Sequence, residues 1–423
     1  MFTKEDLNVI DKIPVFGEIY SDKESAATRI KGLYELFEEA FGEPESFYLF
    51  STPGRTEISG NHTDHNNGCV MAGSVNLDSV AVVAPTNSSI VNIYSVGYKR
   101  PFNVDISKTE PVESERETTR ALIRGIAAKF KEMGYNVGGF NAYIASDVKR
   151  GSGLSSSASI EVLVGKIFSR LYNAENEISP VELAKIGQYA ENVYFGKPCG
   201  LMDQTACAVG GVISIDFKDT KAPIVEQVQL DLAKLGYCLA VVDTGGNHAD
   251  LTDDYASVPR EMKSVANEFG KNVMREVTKQ ELMANIGSLR AKLGDRAVLR
   301  AIHFVNENAR VVKQIDCIKN GKFEEFLAFV NESGNSSWEY LQNCMTTKNP
   351  NEQGVTLALA MTREYCDGMK YATRVHGGGF AGTIQTFLPL TEFEGYKRAM
   401  ENVFGKDCVT KLNIRNVGTL CIE

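Results

Sequence analysis

Hydrophobic and polar positions in the first third of the chain follow two different periods. Positions 68–97 are rich in β-branched residues, and the sequence PTNSS supplies a turn between two apolar runs, so this region is predicted to form strands. Further along, Leu122, Ile126 and Phe130 recur four positions apart with charged residues between them. That spacing predicts an amphipathic helix over 115–135.

The same two patterns extend to the C-terminus. Ser179 and Pro180 suit the N-cap and the first position of a helix. The further predicted helices are 24–40, 155–173, 180–195, 251–269 and 351–366, and the further predicted strands are 139–148, 210–217, 237–245 and 383–389. Strands grouped before helices, without a regular βαβ alternation, favour an α+β fold over a doubly wound parallel sheet.

The length of 423 residues predicts two domains. No internal repeat or low-complexity linker marks the boundary, so we place it by pattern, with one domain over 1–212 and the other over 213–423. The strand predicted at 210–217 suits the point where the chain leaves the first domain. This boundary is loose, since the final strand is able to return to the first domain.

Composition and charge narrow the classes of function. Hydrophobic residues make up 43% and charged residues 23% of the chain, which is typical of a folded globular protein. The net charge of −9 has no basic run to offset it, which argues against duplex nucleic acid or an anionic membrane as the main partner. A phosphate ligand stays open, because backbone amides and a metal can bind phosphate locally.

The cysteines and the N-terminus predict a cytoplasmic protein. The nine cysteines include no C-x-x-C pair, so neither a zinc ribbon nor a disulfide framework is indicated. The N-terminal MFTKEDLNVIDKIPVF is acidic where a signal peptide is basic, and no stretch approaches the roughly 20 apolar residues of a membrane span.

The stretch RGSGLSSSASIEVLVGKIF, at 150–168, has the composition of a phosphate-binding loop that leads into a helix. Small residues let the backbone approach a ligand, and the first N–H groups of the helix point outward with the positive end of its dipole. Neither Walker spacing nor G-x-G-x-x-G is present. A flexible loop with a serine N-cap is the alternative. The candidate phosphate-binding residues are Gly151, Ser152, Gly153, Leu154, Ser155, Ser156 and Ser157.

Further motifs carry a family resemblance. TPGRTEISGNHTDHNNG (52–68), SGLSSSAS and ENVYFGKPCGLMDQTACAVGG (191–211) together resemble the three-part signature of galactokinases within the GHMP small-molecule kinase superfamily. RVHGGGFAGTIQTFLP (374–389) resembles the C-terminal glycine motif of that family, and DTGGNHADLTDDY (243–255) lies where galactokinases carry a sugar-contacting tyrosine. The five segments follow the order of the family from about residue 52 to 389.

The resemblance implies two catalytic residues. Asp203 would take the proton from the anomeric hydroxyl of the sugar, and Arg55, in a segment that reads as turn-rich, would be its partner. A guanidinium within about 4–6 Å keeps an aspartate ionised and can stabilise charge on a transferring phosphoryl group. Asp203 as a helix-capping residue is the alternative. It also stays open whether the carboxylate abstracts the proton early or only aligns the hydroxyl.

For a magnesium ion, the resemblance implies Glu191 and Ser157. Mg²⁺ prefers oxygen ligands and retains several waters, so one carboxylate, one hydroxyl and the phosphates of ATP suffice. The alternatives are an exposed helical charge for Glu191 and helix capping for Ser157.

For the sugar, the resemblance implies His62, Asp64, Gly200 and Tyr255, together with Asn61, where this chain departs from the family. Galactokinases usually read GEHTDY where this chain reads GNHTDH, so Asn61 replaces a sugar-contacting glutamate. A charged hydrogen bond of about 1.5–3 kcal/mol then becomes a neutral one of about 0.5–1.5 kcal/mol. Ordinary packing is the alternative for Tyr255, and His248 is interpreted as structural.

The chain departs from the family pattern at two more places. His65 replaces a tyrosine of the family, and Lys149 and Arg150 add positive charge beside the phosphate loop. A zinc site of His62, Asp64 and His65 is not favoured, since no fourth ligand follows at a sensible spacing.

The function implied by the resemblance is ATP-dependent phosphorylation of the anomeric hydroxyl of galactose, with ATP and Mg²⁺, in a cleft between two α+β domains of the GHMP kinase fold. Two alternatives stay open: a kinase for another hexose or for N-acetylgalactosamine, and a non-catalytic sensor of galactose and ATP. By resemblance, such sensors lose small residues in the serine loop, whereas GLSSSAS is intact here. No oligomeric state is predicted.

Overall fold

The computed structural model describes residues 1–148, 153–197, 199–246 and 251–423. Predictions for Lys149, Arg150, Gly151, Ser152 and His248 therefore lie outside the described residues. The strands are β1 Tyr48–Ser59, β2 Cys69–Pro85, β3 Ile90–Ser95, β4 Phe102–Asp105, β5 Phe140–Ser146, β6 Val212–Asp216, β7 Ile224–Val228, β8 Tyr237–Asp243, β9 Ala372–His376, β10 Thr383–Pro389, β11 Val409–Leu412 and β12 Leu420–Ile422.

The α-helices are α1 Pro14–Ile19, α2 Lys23–Phe41, α3 Thr119–Glu132, α4 Ser156–Tyr172, α5 Pro180–Tyr189, α6 Met202–Val209, α7 Thr252–Glu268, α8 Lys279–Ala284, α9 Ile286–Leu293, α10 Asp295–Lys319, α11 Phe323–Ser336, α12 Gly354–Tyr365 and α13 Phe393–Phe404. Two of them continue directly into π-helical turns, α5 into Ala190–Phe195 and α11 into Ser337–Leu341.

The first sheet is built around the long antiparallel pair β1 and β2. Its order is β12-β1-β2-β5-β3-β4, with β6 paired to β2 and β7 paired to β6. Successive residues of β1 face opposite sides, so Leu49 packs against α2, while Phe50 packs in the core formed with α3, α4 and α5. Both faces of this sheet are therefore covered by helices.

The second sheet has the order β11-β8-β10-β9 and is antiparallel throughout. One face packs against α12 and α13, and the other packs against α11. The core under α11 also contains Ile58 of β1, and Met71 and Val75 of β2. Hydrophobic packing thus continues from one sheet to the other, and the strand that carries Arg55 runs between them.

The structure confirms the α+β class and most of the predicted elements. Ser179 caps α5 with its hydroxyl, which accepts from the backbone N–H of Glu182 at 3.3 Å. The predicted helix over 180–195 is α-helical only to Tyr189, and its last turn is π-helical. The helix predicted over 115–135 begins at Thr119, because a separate 3₁₀ turn precedes it.

The two sheets divide the chain differently from the boundary at residue 212. Both β6 and β7 belong to the first sheet, and β12 pairs antiparallel with β1. The first sheet therefore contains strands that follow residue 212, including the final strand of the chain. The domain boundary itself stays a prediction.

The interpretation of 52–59 as turn-rich is wrong. These residues form the second half of β1, and their side chains are buried. Pro53 and Gly54 are tolerated because the pairing of β1 with β2 shifts register between Pro53 and Arg55, which is a β-bulge. A bulge locally bends the strand and re-aims a side chain, here that of Arg55.

A buried ionic cluster connects the two ends of the chain. The carboxylate of Asp78 on β2 pairs with Arg29 of α2 and accepts from the hydroxyl of Tyr20 at 2.7 Å. Arg415, which precedes β12, lies 3.4 Å from the same carboxylate and donates to Ser51 at 2.7 Å. The N-terminal helices, the first sheet and the C-terminal segment therefore share one charge centre.

Candidate active site

A cleft of about 480 Å³ lies between the two sheets. Residues on the side of the first sheet contribute charged and hydroxyl groups, while the side of the second sheet contributes mostly glycine backbone. The lining residues are Arg55, Gly153, Ser155, Ser156, Ser157, Glu191, Lys197, Cys199 and Asp203 on one side, and Tyr255, His376, Gly377, Gly378, Gly379, Ala381, Gly382 and Thr383 on the other.

Arg55 and Asp203 form a two-pronged ion pair in this cleft. The Nε of Arg55 lies 2.7 Å from Oδ1 of Asp203, and Nη2 lies 2.9 Å from Oδ2. The hydroxyl of Ser155 also donates to Asp203, and Nη1 of Arg55 donates to the carbonyl of Gly153. The sequence motifs thus correctly paired two residues that lie 148 positions apart.

Asp203 is held as a carboxylate. Burial alone raises the pKa of Asp203, but the charge of Arg55 and hydrogen bonds from Arg55 and Ser155 outweigh burial and lower that pKa below its ordinary value. Asp203 also lies in the first turn of α6, where the helix dipole favours negative charge. A buried carboxylate that stays ionised at neutral pH can accept a proton or orient a hydroxyl.

The serine loop reaches the cleft through its backbone. Gly153 has a φ of 73°, and a Cβ at this position would lie 2.9 Å from Nδ1 of His376, so only glycine fits. The side chain of Leu154 is buried, while its carbonyl accepts from the backbone N–H of Arg55 at 3.1 Å. Leu154 thus supports the loop from the core.

The N-terminus of α4 is open toward the cleft. Ser155 is its N-cap residue, with a left-handed φ of 58°, and its side chain makes no capping hydrogen bond to the helix because the hydroxyl points to Asp203. Among the described residues, no side chain therefore accepts from the first backbone N–H groups of α4. They form, with the helix dipole, a site for an anion.

Glu191 and Ser157 lie side by side at the floor of the loop. The hydroxyl of Ser157 is 3.4 Å from Oε1 of Glu191, and Gln204 donates to Oε2 at 3.0 Å. The same amide nitrogen of Gln204 donates at 2.9 Å to Glu161, whose pKa is raised well above its ordinary value by burial and by the nearby Glu191. The hydroxyl and carboxylate oxygens of Ser157 and Glu191 fit the preference of Mg²⁺ for oxygen ligands.

The predicted sugar residues His62 and Tyr255 contact the glycine loop of the second half. Nε2 of His62 donates to the carbonyl of Gly378 at 2.8 Å, which fixes the proton on that nitrogen. Burial lowers the pKa of His62 to about 4, so the ring is neutral. The hydroxyl of Tyr255 donates to the carbonyl of Gly379 at 2.9 Å, and its ring packs on Gly378.

Asp64 and Gly200 are in direct contact. A Cβ at position 200 would lie 2.3 Å from Oδ2 of Asp64, so the absence of a side chain at Gly200 leaves room for the carboxylate. His65 lies beside them, with Nε2 at 3.9 Å from Oδ1 of Asp64 and half of its side chain exposed. Of the four predicted residues, Tyr255 lines the cleft, whereas His62, Asp64 and Gly200 lie outside its lining. His62 contacts the same glycine loop as Tyr255, and Asp64 contacts Gly200.

Asn61 differs from this group. Its side chain is 1% exposed, and Nδ2 donates at 2.8 Å both to Oε1 of Glu57 and to the carbonyl of Gly377. Its Oδ1 accepts from Asn343 at 2.7 Å. Every polar group of the Asn61 side chain is thus bonded inside the protein, and the geometry does not support a direct contact of this side chain with a ligand.

Comparisons with known proteins agree with this site. The chain matches a model for the galactose-binding signature of galactokinases over residues 35–85 and a model for the N-terminal domain of GHMP kinases over 121–211. A galactokinase of Limosilactobacillus reuteri is 30% identical over 378 residues, which cover 87% of this chain and 92% of the relative. The chain belongs to the galactokinase family. A galactokinase of Streptomyces coelicolor is also 30% identical, with 88% and 92% coverage.

Solved structures share the fold of this galactokinase-family chain. A Lactococcus lactis galactokinase complexed with galactose superposes with a TM-score of 0.79 at 24% identity, covering 93% of this chain and 99% of that one. A mevalonate kinase of Methanococcus jannaschii superposes with a TM-score of 0.57 at 14% identity, covering 88% and 99%. The predicted GHMP kinase fold is confirmed.

Several residues of the site were not predicted from the sequence. Lys197, Cys199, His376 and Thr383 line the cleft, although all four lie inside the motifs that resemble those of galactokinases. Nothing in their local pattern distinguishes them from packing residues. His376 is fully enclosed, and burial together with the charge of Arg55 lowers its pKa to about 3.

A second, larger cavity of about 710 Å³ adjoins the serine loop. Ser156 and Ser157 line one end, the polar residues Ser95, Glu117, Thr118, Thr119 and Ser146 contribute part of the lining, and apolar side chains line most of the rest. These are Ile93, Val96, Tyr98, Phe102, Leu122, Ile144, Val148, Ile160 and Phe195. The predicted strands and helices include Ile93, Leu122, Ile144 and Ile160, but no element was predicted at Tyr98 or at Phe102 of β4. The periodicity also could not show that these residues enclose a cavity.

Among the helices of the described residues, none combines the length and the apolar character that a membrane span requires.

Proposed function

We propose that this member of the galactokinase family transfers the γ-phosphoryl group of ATP to the anomeric hydroxyl of galactose, giving α-D-galactose 1-phosphate. The observation that carries the proposal is the Arg55–Asp203 pair, which lies in one cleft with the open N-terminus of α4. A proton acceptor and an anion site are the two groups that phosphorylation of an alcohol needs. The galactokinases among the relatives support galactose as the sugar.

In the proposed reaction Asp203 receives the proton of the anomeric hydroxyl. The oxygen forms a bond to the γ-phosphorus of ATP, the bond from that phosphorus to the β–γ bridging oxygen breaks, and ADP leaves. Arg55 keeps Asp203 ionised and oriented through two hydrogen bonds. Because the transition state of phosphoryl transfer is loose, it demands little activation of the nucleophile, and orientation of the hydroxyl by Asp203 contributes to the rate.

ATP would occupy the two spaces beside the serine loop, whose linings share Ser156 and Ser157. Its phosphates would lie at Gly153, Leu154, Ser155, Ser156 and Ser157, where backbone N–H groups and the dipole of α4 favour anions, and the resemblance adds Gly151 and Ser152. Its base would enter the apolar cavity of about 710 Å³, because that cavity shares Ser156 and Ser157 with the loop.

Mg²⁺ would be held by Ser157 and Glu191. Their oxygens lie 3.4 Å apart, close enough for both to contact one ion that also binds phosphate oxygens. When bound, the ion would neutralise charge on the phosphates.

The sugar would contact His62, Asp64, Gly200 and Tyr255, whose short polar groups suit a ring of hydroxyls. Asn61 is not included as a direct ligand, because its amide is bonded inside the protein. A cytoplasmic location stays a prediction.

The test is the initial rate of ADP release with Mg·ATP across galactose, N-acetylgalactosamine, glucose and 2-deoxygalactose. We expect galactose to give the highest kcat/KM and Asp203→Asn to lower kcat by about 10²–10⁴-fold. Asp219→Asn, which changes an exposed aspartate, is the matched control and should keep the parent rate. A preference for another sugar would contradict galactose as the substrate, and an Asp203→Asn variant with the parent rate would contradict the role of Asp203.

A further inference from the structure

Lys197 brings a cation to the phosphate side of the cleft. It follows the π-helical turn Ala190–Phe195, its side chain is 65% exposed, and its Nζ lies 3.6 Å from Oε1 of Glu191. That separation is longer than a hydrogen bond, so the ammonium keeps its donors for another acceptor.

The backbone of Lys197 is anchored although its side chain is exposed. The N–H groups of Gly196 and Lys197 both donate to the carbonyl of Glu191, at 3.0 and 3.1 Å. Gly196 has a φ of 89°, in the left-handed region that favours glycine. The turn therefore fixes where the side chain begins, and four methylene groups give the ammonium its reach.

The other cationic side chain of the cleft, Arg55, is paired with Asp203. All three guanidinium nitrogens of Arg55 donate to protein oxygens, two to Asp203 and one to the carbonyl of Gly153. His376 is neutral, because burial lowers its pKa to about 3. Among the described residues that line the cleft, Lys197 is thus the cation that no carboxylate holds within hydrogen-bond distance.

The charge of Lys197 also reaches the groups that take part in the proposed reaction. It lowers the pKa of Asp203 and opposes the burial that raises the pKa of Glu161. Its ammonium therefore lies within electrostatic range of the proton acceptor, and it lies beside Glu191, the carboxylate assigned to the metal.

We propose that Lys197 is a further catalytic residue, which donates hydrogen bonds to the γ-phosphoryl group of ATP while that group is transferred. This inference rests on the proposed kinase function. The ammonium keeps its proton throughout: the proton of the sugar hydroxyl goes to Asp203, the new bond joins the sugar oxygen to phosphorus, and the electrons of the broken bond leave on ADP. Lys197 neutralises charge on the non-bridging oxygens, which a loose transition state requires.

The test compares nucleotides with and without a γ-phosphate. Binding of ADP and of the non-hydrolysable β,γ-imido analogue of ATP is measured by titration calorimetry for the parent, Lys197→Met and Lys197→Arg. We expect Lys197→Met to weaken binding of the analogue about 10- to 100-fold and binding of ADP less than about threefold, since only the analogue has a γ-phosphate. With galactose and ATP, kcat should fall about 10²–10³-fold, and Lys197→Arg should recover part of both losses.

Lys218→Met, which neutralises an exposed lysine just after β6, is the matched control and should leave both affinities and kcat unchanged. Equal losses for ADP and the analogue, or no loss for either, would overturn the proposal. The two proposals can fail separately. A parent protein that phosphorylates no sugar, but binds the analogue through Lys197, would contradict the kinase function and retain the γ-phosphate contact.

Discussion

At the scale of single residues, the ion pair in the cleft could be predicted from the sequence, but its environment could not. The motifs assigned Arg55 and Asp203, and the structure joins them by two hydrogen bonds. The contacts of Asn61 could not be predicted, because its partners Asn343 and Gly377 lie 282 and 316 positions away. A local pattern shows that a residue departs from a family, but it does not show which way the side chain points.

The pH profile of Arg55→Lys tests the electrostatics of the pair. In the proposed reaction the ionised form of Asp203 is the active one, so activity should be present above the pKa of Asp203 and should be lost as the pH falls through that pKa. In the parent, Arg55 holds this pKa below the ordinary 3.8, so kcat/KM should stay level down to about pH 4.5. Lysine cannot make two parallel hydrogen bonds, so burial then prevails and raises the pKa of Asp203.

We expect the acid limb of kcat/KM to move upward by about one pH unit or more in Arg55→Lys. Arg290→Lys, at an exposed pair with Asp295, is the control and should keep the parent profile. Coincident acid limbs in the parent and Arg55→Lys would show that Arg55 does not set the ionisation of Asp203.

Exchange of Glu57 and Asn61 tests the buried hydrogen-bond network that holds the Asn61 side chain. Glu57 is paired with Arg374 at 3.0 Å and accepts from Asn61 at 2.8 Å, and burial already raises its pKa. Asn61→Glu would place a second buried carboxylate against the first. We expect it to lower the free energy of unfolding by about 3 kcal/mol or more, rather than to change sugar preference.

The double variant Glu57→Asn/Asn61→Glu retains one carboxylate and one amide and should recover most of the loss. Urea unfolding of the parent, both single variants and the double variant gives the coupling free energy between the two positions. An Asn61→Glu protein as stable as the parent, with an altered ranking of sugars, would contradict this account and restore Asn61 as a sugar ligand.

At the scale of elements, hydrophobic periodicity correctly predicted those helices and strands whose conformation does not depend on distant contacts. The helices α2, α4 and α7 begin and end within one residue or two of the prediction, because their apolar faces repeat regularly. The strand β1 was missed, since it contains Pro53 and Gly54 and buries polar residues. Thr56 donates to Gln385 at 2.8 Å, so its polar group is satisfied by the second sheet, which the local sequence does not reveal.

At the scale of the whole molecule, the two sheets share one hydrophobic core. The core under α11 includes side chains from both sheets, and β12 returns to pair with β1. The length predicted two domains, and the sequence analysis allowed the final strand to return to the first of them. The shared core could not be predicted, because composition does not show which elements pack together. Because one core connects both sheets, we expect them to unfold together.

Arg415→Met tests that cooperativity from the C-terminal end. The guanidinium of Arg415 lies near the buried carboxylate of Asp78 and donates to Ser51 at 2.7 Å and to the carbonyl of Val417 at 2.8 Å. Its removal leaves these acceptors buried with fewer donors, which should cost about 3–5 kcal/mol of the free energy of unfolding. Arg398→Met, at an exposed position of α13, is the control and should cost less than about 0.5 kcal/mol.

Thermal unfolding is followed by far-ultraviolet circular dichroism, which reports on the whole chain, and by fluorescence of Trp338. Trp338 lies in the turn Ser337–Leu341, far along the chain from Ser51 and Asp78, the residues that Arg415 contacts in the first sheet. If the sheets unfold together, both signals should shift to the same lower midpoint in Arg415→Met. A tryptophan signal that keeps the parent midpoint while the dichroism signal shifts would mean that the second half unfolds on its own. In that case the core under α11 would be a docking surface between two stable halves, and closure of the cleft would not require the shared core to repack.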